Sequence, residues 1–246
     1  MIYFQGCTAR EKLREISKST QRLLDQAEVE YTLLDIEGCC GSVLLRTGFG
    51  ADAQEIIMNT WEKLKGEQVL VSCAGCYHTF KKDYPKILGE KVNVIHTSQL
   101  FLSLIQEGKL SLLHNSGDER VTYHDPCHLG RHMAEYQAPR DIIGKTAHLV
   151  EMERNRELAR CCGAGSGVKS AFPEVSQSVA KMRLGDVRKT GSEILVTCCP
   201  FCINNFKSVM KTSKNYNTKY SKDLKRRLEI LDLSQFLVKR LREVAP

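Results

Sequence analysis

Nowhere in the 246-residue chain is there an apolar run approaching the roughly 18 residues that a bilayer-spanning helix needs. Its first residues carry neither the basic segment nor the long apolar core of a secretory signal. The expected setting is therefore cytoplasmic, or at most peripheral to the inner face of a membrane. No RNA- or DNA-binding motif is present, so the formal net charge of +7 favours anionic partners without pointing to nucleic acid. The glycines at 163, 165 and 167 are not followed by the remainder of a G-x-G-x-x-G turn, which argues against a dinucleotide. Acidic residues are nearly missing from 207–227, where Asp223 faces eight lysines and arginines. Such a run reads first as a solvated face, and second as a docking surface for an acidic subunit or anionic lipid.

What is abundant is cysteine, eleven in all, and ten of them form two sets with one pattern. Cys7, Cys39-Cys40-Gly41 and Cys73/Cys76 read C-x31-CCG-x31-C-x2-C; Cys127, Cys161-Cys162-Gly163 and Cys199/Cys202 read C-x33-CCG-x35-C-x2-C. A repeat that reproduces every cysteine is a site duplicated together with its fold. Adjacent cysteines and C-x-x-C loops suit a thiolate metal site better than a structural disulfide framework, which a reducing cytoplasm would not keep oxidised. Cys198 has Ser72 as its counterpart and reads as a packing residue.

The elements repeat as well. Strands are predicted at 1–5, 31–36, 69–72 and 92–96, then at 121–125, 148–152 and 194–197; helices are predicted at 10–27, 51–65 and 98–106, then at 139–145 and 172–190. The segment 93–101 resembles 228–236. Alternating strands and helices predict an α/β class, two tandem domains each with a small parallel sheet and flanking helices, related by internal duplication. The boundaries expected are 1–110 and 121–246, with 111–120 as linker. Ligands of such sheets bind beyond the carboxyl ends of the strands, which is where the cysteines of both sets fall.

Thiolates select zinc, copper(I) or iron–sulfur clusters. A tetrahedral zinc or a [4Fe–4S] cubane needs four ligands, and each half offers five. Two adjacent cysteines reach one mononuclear metal with difficulty, but different irons of an extended cluster readily. Gly41 and Gly163 would let the backbone approach inorganic sulfide and donate N–H groups to it. A zinc-stabilised scaffold stays open as the plainer alternative. Around the second leading cysteine stand His124, His128, Arg131 and His132; His78, Arg46 and Lys169 lie near the other motifs. These are candidates for proton handling, hydrogen bonds to sulfur, or holding an anionic substrate. The second set's richer glycine loop and its basic neighbours predict that the second site matters more to catalysis than the first.

The motifs Tyr3-Phe-x-Gly-Cys7, Cys39-Cys-Gly-Ser-Val-Leu-Leu-Arg-Thr-Gly48, Thr122-Tyr-His-Asp-Pro-Cys-His-Leu-Gly-Arg131 and Cys161-Cys-Gly-Ala-Gly165 resemble the CCG domain pair of heterodisulfide reductases. The match is to the B-type polypeptide of the soluble enzyme and to the C-terminal part of the D-type polypeptide; a component of sulfite-reduction complexes is also similar. The resemblance implies that Cys7, Cys39, Cys40, Cys73 and Cys76 hold one non-cubane [4Fe–4S] cluster. Cys127, Cys161, Cys162, Cys199 and Cys202 would hold a second, with zinc replacing one of them in some relatives. It further implies a disulfide substrate, the heterodisulfide of coenzyme M and coenzyme B used in methanogenesis, cleaved between the clusters, with His124, His128 and Arg131 as catalytic candidates. D-type relatives carry a ferredoxin-like segment ahead of this pair. Electrons are therefore expected from a partner subunit with ferredoxin-type clusters or flavin, and a membrane cytochrome subunit is a possible further partner. Related domain pairs serve organic-acid and glycerol-3-phosphate oxidoreductases, so the alternative is a non-catalytic electron-transfer subunit of such a complex.

Overall fold

The structure is a computed structural model that describes residues 1–113, 119–212 and 228–242. The first half opens with β1 (Ile2–Phe4), α1 (Cys7–Glu11), α2 (Arg14–Gln26), α3 (Ser42–Arg46) and α4 (Gly50–Leu64). It continues through β2 (Gln68–Val71), α5 (Ala74–His78), a π-helical turn over Thr79–Asp83, α6 (Tyr84–Leu88), β3 (Asn93–His96) and α7 (Thr97–Gln106). The second half follows with β4 (Arg120–His124), α8 (Gln137–Thr146), β5 (His148–Leu149), α9 (Val168–Ala171), α10 (Pro173–Lys189), β6 (Ile194–Thr197), α11 (Pro200–Thr212), β7 (Glu229–Asp232) and α12 (Leu233–Val238).

Each half builds a parallel sheet, ordered β1-β2-β3 in the first and β5-β4-β6-β7 in the second. A parallel bridge between Ile2 and Thr32 puts Thr32 where β5 lies in the other sheet, so the two orders are the same. Val69-Leu-Val71 and Ile194-Leu-Val-Thr197 are buried throughout, as strands covered by helices on both faces must be. On α4 the buried positions Ala53, Ile57, Thr60, Trp61 and Leu64 fall on one stripe, the spacing that a 3.6-residue turn presents to a core.

Several expected elements differ from those observed. The strand predicted at 31–36 is reduced to the Thr32 bridge and turns away at Asp35. The helix predicted at 10–27 is broken at Leu13, where the Lys12 and Leu13 amides both bond Thr8 O before α2 restarts. The strand predicted at 148–152 keeps two residues. The helix predicted at 139–145 is α8, which begins at Gln137 with Pro139 in its first turn, where an amide has no intrahelical partner to lose.

The closing helices are exchanged between halves: α7 packs on α8 and α12 packs on α2. The repeat extends to their caps. His96 and Asp232 each accept from the amide two residues on, and Gln99 and Gln235 each accept from the cap amide in return. Beyond these helices Leu112 and Leu241 form an antiparallel bridge, with Leu113 N donating to Arg240 O and Arg242 N to Ser111 O. Residues 111–113 of the expected linker are thus paired. Its residues 114–118, and 213–227 of the basic run, lie outside the described residues.

Candidate metal centre

In the first half β1 runs into Gly6, whose φ of 79° turns the chain so that Cys7 heads α1. Glu37, nearly fully buried, accepts hydrogen bonds from the amides of Gln5 (2.6 Å) and Gly6 (2.9 Å). It thereby ties the loop of Cys7 to the loop of Cys39 and Cys40. Burial pushes the Glu37 carboxyl up, while these amides and Arg10, 3.6 Å away, oppose the rise. Thr60 Oγ1 donates to Cys39 O at 2.9 Å, and Gly41 N donates to Cys39 Sγ at 3.4 Å. Cys73 follows β2 after Ser72, and Cys76 lies in α5.

The second half repeats the plan with other residues. Asp125 accepts from Arg140 through two bonds of 2.7 and 2.9 Å and from the Arg156 amide at 2.9 Å. Here the acid sits on the leading-cysteine loop and reaches the CCG loop, the reverse of Glu37. Arg131 Nη2 donates to Ala159 O at 2.6 Å, and so braces the approach to Cys161. Gly163 N donates to Cys161 Sγ at 3.3 Å, and Asn205 Nδ2 to Cys162 O at 2.7 Å.

All ten cysteines of the two sets line a single cavity of about 470 Å³ between the halves. Cys198 does not line it; it is 1% exposed and faces Tyr123 in the core. Thiol–thiol interactions run Cys7–Cys39–Cys40–Cys76–Cys73 on one side and Cys127–Cys161–Cys162–Cys202–Cys199 on the other, and Cys73 meets Cys199 between them. Cys40 Sγ and Cys76 Sγ are 3.3 Å apart. Protons are shared unevenly in such a chain. Cys7 and Cys127 are pushed up because Cys39 and Cys161 accept from them, with burial adding to the rise. Cys40 and Cys161 are pulled down by the thiols that donate to them.

Among the described residues these cysteines are free thiols, and they converge on one cavity. A Cβ added to Gly6 would stand 3.4 Å from Cys76 Sγ, and one on Gly163 would strike Ser176 O at 2.5 Å. Soft donors packed this densely around a cavity fit a thiolate-bound metal cluster.

The other predicted residues divide. His128, Arg131, His132 and Arg46 line the cavity. His78 stacks on His128 with ring centroids 5.0 Å apart, and His132 completes a triangle at 5.2 Å from each. Arg46 holds His78 Nδ1 and Asp83 Oδ2, both at 2.7 Å. Burial pushes His128 down to about 4. His124 does not reach the cavity; it is fully buried behind the second set, with burial pushing it to about 3. Lys169 points away, to Asn204 O at 3.4 Å. Glu37, Asp125, Arg140, Thr60 and Asn205 were missed by sequence reasoning. Nothing local in the sequence marks them, because each acts on a segment distant in the chain.

Two α/β halves, each delivering five thiols to one shared cleft, define a duplicated thiolate metal-centre protein. The chain belongs to the cysteine-rich CCG-domain family, whose model matches residues 1–81 and 121–207. It is 40% identical over 83% of its length to the D-type polypeptide of dihydromethanophenazine:CoB–CoM heterodisulfide reductase from Methanosarcina acetivorans, and covers 53% of that protein. It is 34% identical to the B-type polypeptide of the CoM/CoB fumarate reductase of Methanothermobacter marburgensis, over 81% of this chain and 40% of the relative. The chain thus spans about half the length of these curated relatives, or less. A hypothetical protein of Helicobacter pylori shares the fold with a TM-score of 0.64 at 13% identity, over 99% of this chain and 49% of that one.

Proposed function

We propose that this chain is the iron–sulfur subunit of a heterodisulfide reductase-like oxidoreductase. In this reading each five-cysteine set holds a non-cubane [4Fe–4S] cluster. The substrate is a disulfide, the coenzyme M–coenzyme B heterodisulfide or a related thiol compound, and the setting is methanogenesis. The observation that carries the reading is that both sets open into one cavity rather than two. When bound, such clusters supply single electrons and soft iron sites for sulfur, and cleaving one S–S bond takes two electrons and leaves two thiolates.

The chain's own residues shape the site for such a ligand. Its volume lies within the range of small-molecule pockets. Val43, Val168, Val175, Val179 and Phe201 line it beside the thiols and limit water. His128, whose Nδ1 also stands beside Gly75 of the first set, and Arg131 line the cavity with His132 and Arg46, and would orient a bound thiol compound there. Electrons would come from a partner with ferredoxin-type clusters or flavin. No helix among the described residues is long and apolar enough to cross a membrane; a cytoplasmic location, with peripheral contact to a membrane cytochrome subunit, belongs to the same proposal.

Anaerobic iron, sulfide and zinc quantification with EPR, followed by disulfide turnover with a reduced donor, tests it. Eight irons per chain and turnover are expected; zinc without sulfide would sink the cluster reading, and eight irons without turnover of any disulfide would sink the substrate. The likeness to a fumarate reductase component favours one second reading, an electron-transfer subunit that touches no substrate. Intact clusters that reduce a partner's flavin, yet give no spectral change with coenzyme M, would establish it.

A further inference from the structure

The two halves differ at one buried spot beside the cysteines. By strand register and by distance from the leading cysteine, His124 occupies in the second half the place that Phe4 holds in the first. Both rings meet a phenylalanine edge-on: Phe4 with Phe80 at 5.1 Å and 85°, His124 with Phe206 at 5.0 Å and 84°. A second replacement accompanies it. The buried stripe of α4 aligns Thr60 with Arg183 of α10, and Arg183 is 0% exposed. An apolar ring and a threonine have become a histidine and an arginine.

Arg183 Nε donates to His124 Nδ1 at 3.1 Å, and its Nη1 is held by Arg154 O at 2.7 Å and Asp186 at 3.3 Å. A guanidinium has no acceptor, so His124 Nδ1 must accept and the ring proton must sit on Nε2. Nε2 is buried and has no hydrogen-bond partner among the described residues. A ring nitrogen of His124, Cys162 Sγ and Cys202 Sγ all lie within 4.8 Å of one another. Burying an N–H with nothing to receive it is costly, and the nearby acceptors are sulfurs. The same tautomer excludes His124 as a metal ligand, because a ligating Nε2 would need the proton on Nδ1, where Arg183 already donates.

We propose that His124, oriented by Arg183, is a positioning residue. Its Nε2–H donates a hydrogen bond to the sulfur of the second site and sets that site at a higher reduction potential than the first, where Phe4 donates nothing. Hydrogen bonds to cluster sulfurs favour the reduced, more negative state. The first electron then settles at the second site. The inference rests on the cluster reading above and adds an order of reduction to it.

The test uses the whole protein, purified anaerobically with its clusters, its iron and sulfide measured first. Potentiometric EPR should resolve two midpoint potentials. The Gly41 and Gly163 amides donate to sulfur at both sites, so ENDOR should show one exchangeable proton coupling more at the higher-potential cluster than at the lower. In H124F, which restores the first-half residue and keeps all ten cysteines, the higher potential should fall toward the lower one and that extra coupling should vanish. H124Q, which retains an N–H, should recover part of the shift. If H124F does not fold, the unsubstituted protein still decides: a directly bonded nitrogen, or no exchangeable coupling beyond those common to both clusters, overturns the proposal. Unchanged potentials in a fully loaded H124F overturn it alone, whereas a protein without iron and sulfide overturns it together with the cluster reading.

Discussion

Asp125 and Arg140 form a two-pronged ion pair, 2.7 and 2.9 Å long, with side chains only 2% and 3% exposed. Arg140 also binds Glu151 at 2.6 Å, and Asp125 also receives the Arg156 amide. Removing one partner of a buried pair costs about 3–5 kcal/mol where the remaining charge is left uncompensated, but without Asp125 the Arg140 guanidinium keeps Glu151. Asp125→Ala should therefore lose less than that in urea denaturation, on the order of 1–3 kcal/mol for the hydrogen bonds removed. It should also lose metal from the second site before the first, because the loop leading to Cys161 is released.

The glycines after the paired cysteines should not tolerate substitution equally. Both have positive φ, 78° at Gly41 and 83° at Gly163, so alanine is strained at either. At Gly41 the new methyl meets Ile57 Cγ1 at 2.9 Å, a side chain able to give; at Gly163 it meets the Ser176 carbonyl at 2.5 Å, on the backbone of α10. Gly163→Ala should therefore abolish metal binding at its site, and Gly41→Ala only weaken it. Iron content per chain measures the difference.

Burial pushes the Asp232 carboxyl up from 3.8 to about 7, against the opposing hydrogen bonds from Ser234. A carboxyl whose folded pKa is raised contributes stability that is complete below the unfolded value. That contribution is lost as pH climbs toward the folded one. Wild-type protein should lose stability from about pH 4 to about pH 7 through this group, by a few kcal/mol at the outside. Asp232→Asn should flatten that window and be the more stable protein at pH 8, with little difference at pH 4. Thermal melts across the range check the sign.

Cys198 is a core residue beside ten candidate ligands. Cys198→Ala should leave iron content unchanged and cost on the order of 1 kcal/mol, as deletion of one small buried group does. A loss of iron would make it a ligand.

Unequal roles for the two sites yield a paired experiment. Cys162→Ser should reduce turnover more than Cys40→Ser at matched loss of iron. His128 and Arg131 follow the leading cysteine of the second set and line the cavity, whereas the first set's Cys7 is followed by Arg10, which does not line it and is turned to Glu37 and Glu11. Equal losses would remove the asymmetry.

Cysteine spacing and apolar runs such as Val69–Val71 were legible from sequence because each leaves a local, periodic mark. The repeated 93–101 and 228–236 segments became equivalent caps at His96 and Asp232 for the same reason. Tyr31–Ile36 misled because β-rich composition says nothing of whether a partner strand lies alongside, and here Thr32 alone finds one. Glu37, Asp125 and Arg183 were not legible at all. Each acts on a segment some thirty residues or more away in sequence, and Arg183 sits on a helix face where an arginine would be expected in water.

Because α7 closes on α8 and α12 on α2, the helix that covers α2 comes from the second half and the one that covers α8 from the first. A chain of half this length, with the same elements, would need a second copy of itself to supply that cover, and its two sites would be identical by symmetry. Within one chain a substitution in either half stands alone. That is what lets a histidine face one set of cysteines where a phenylalanine faces the other.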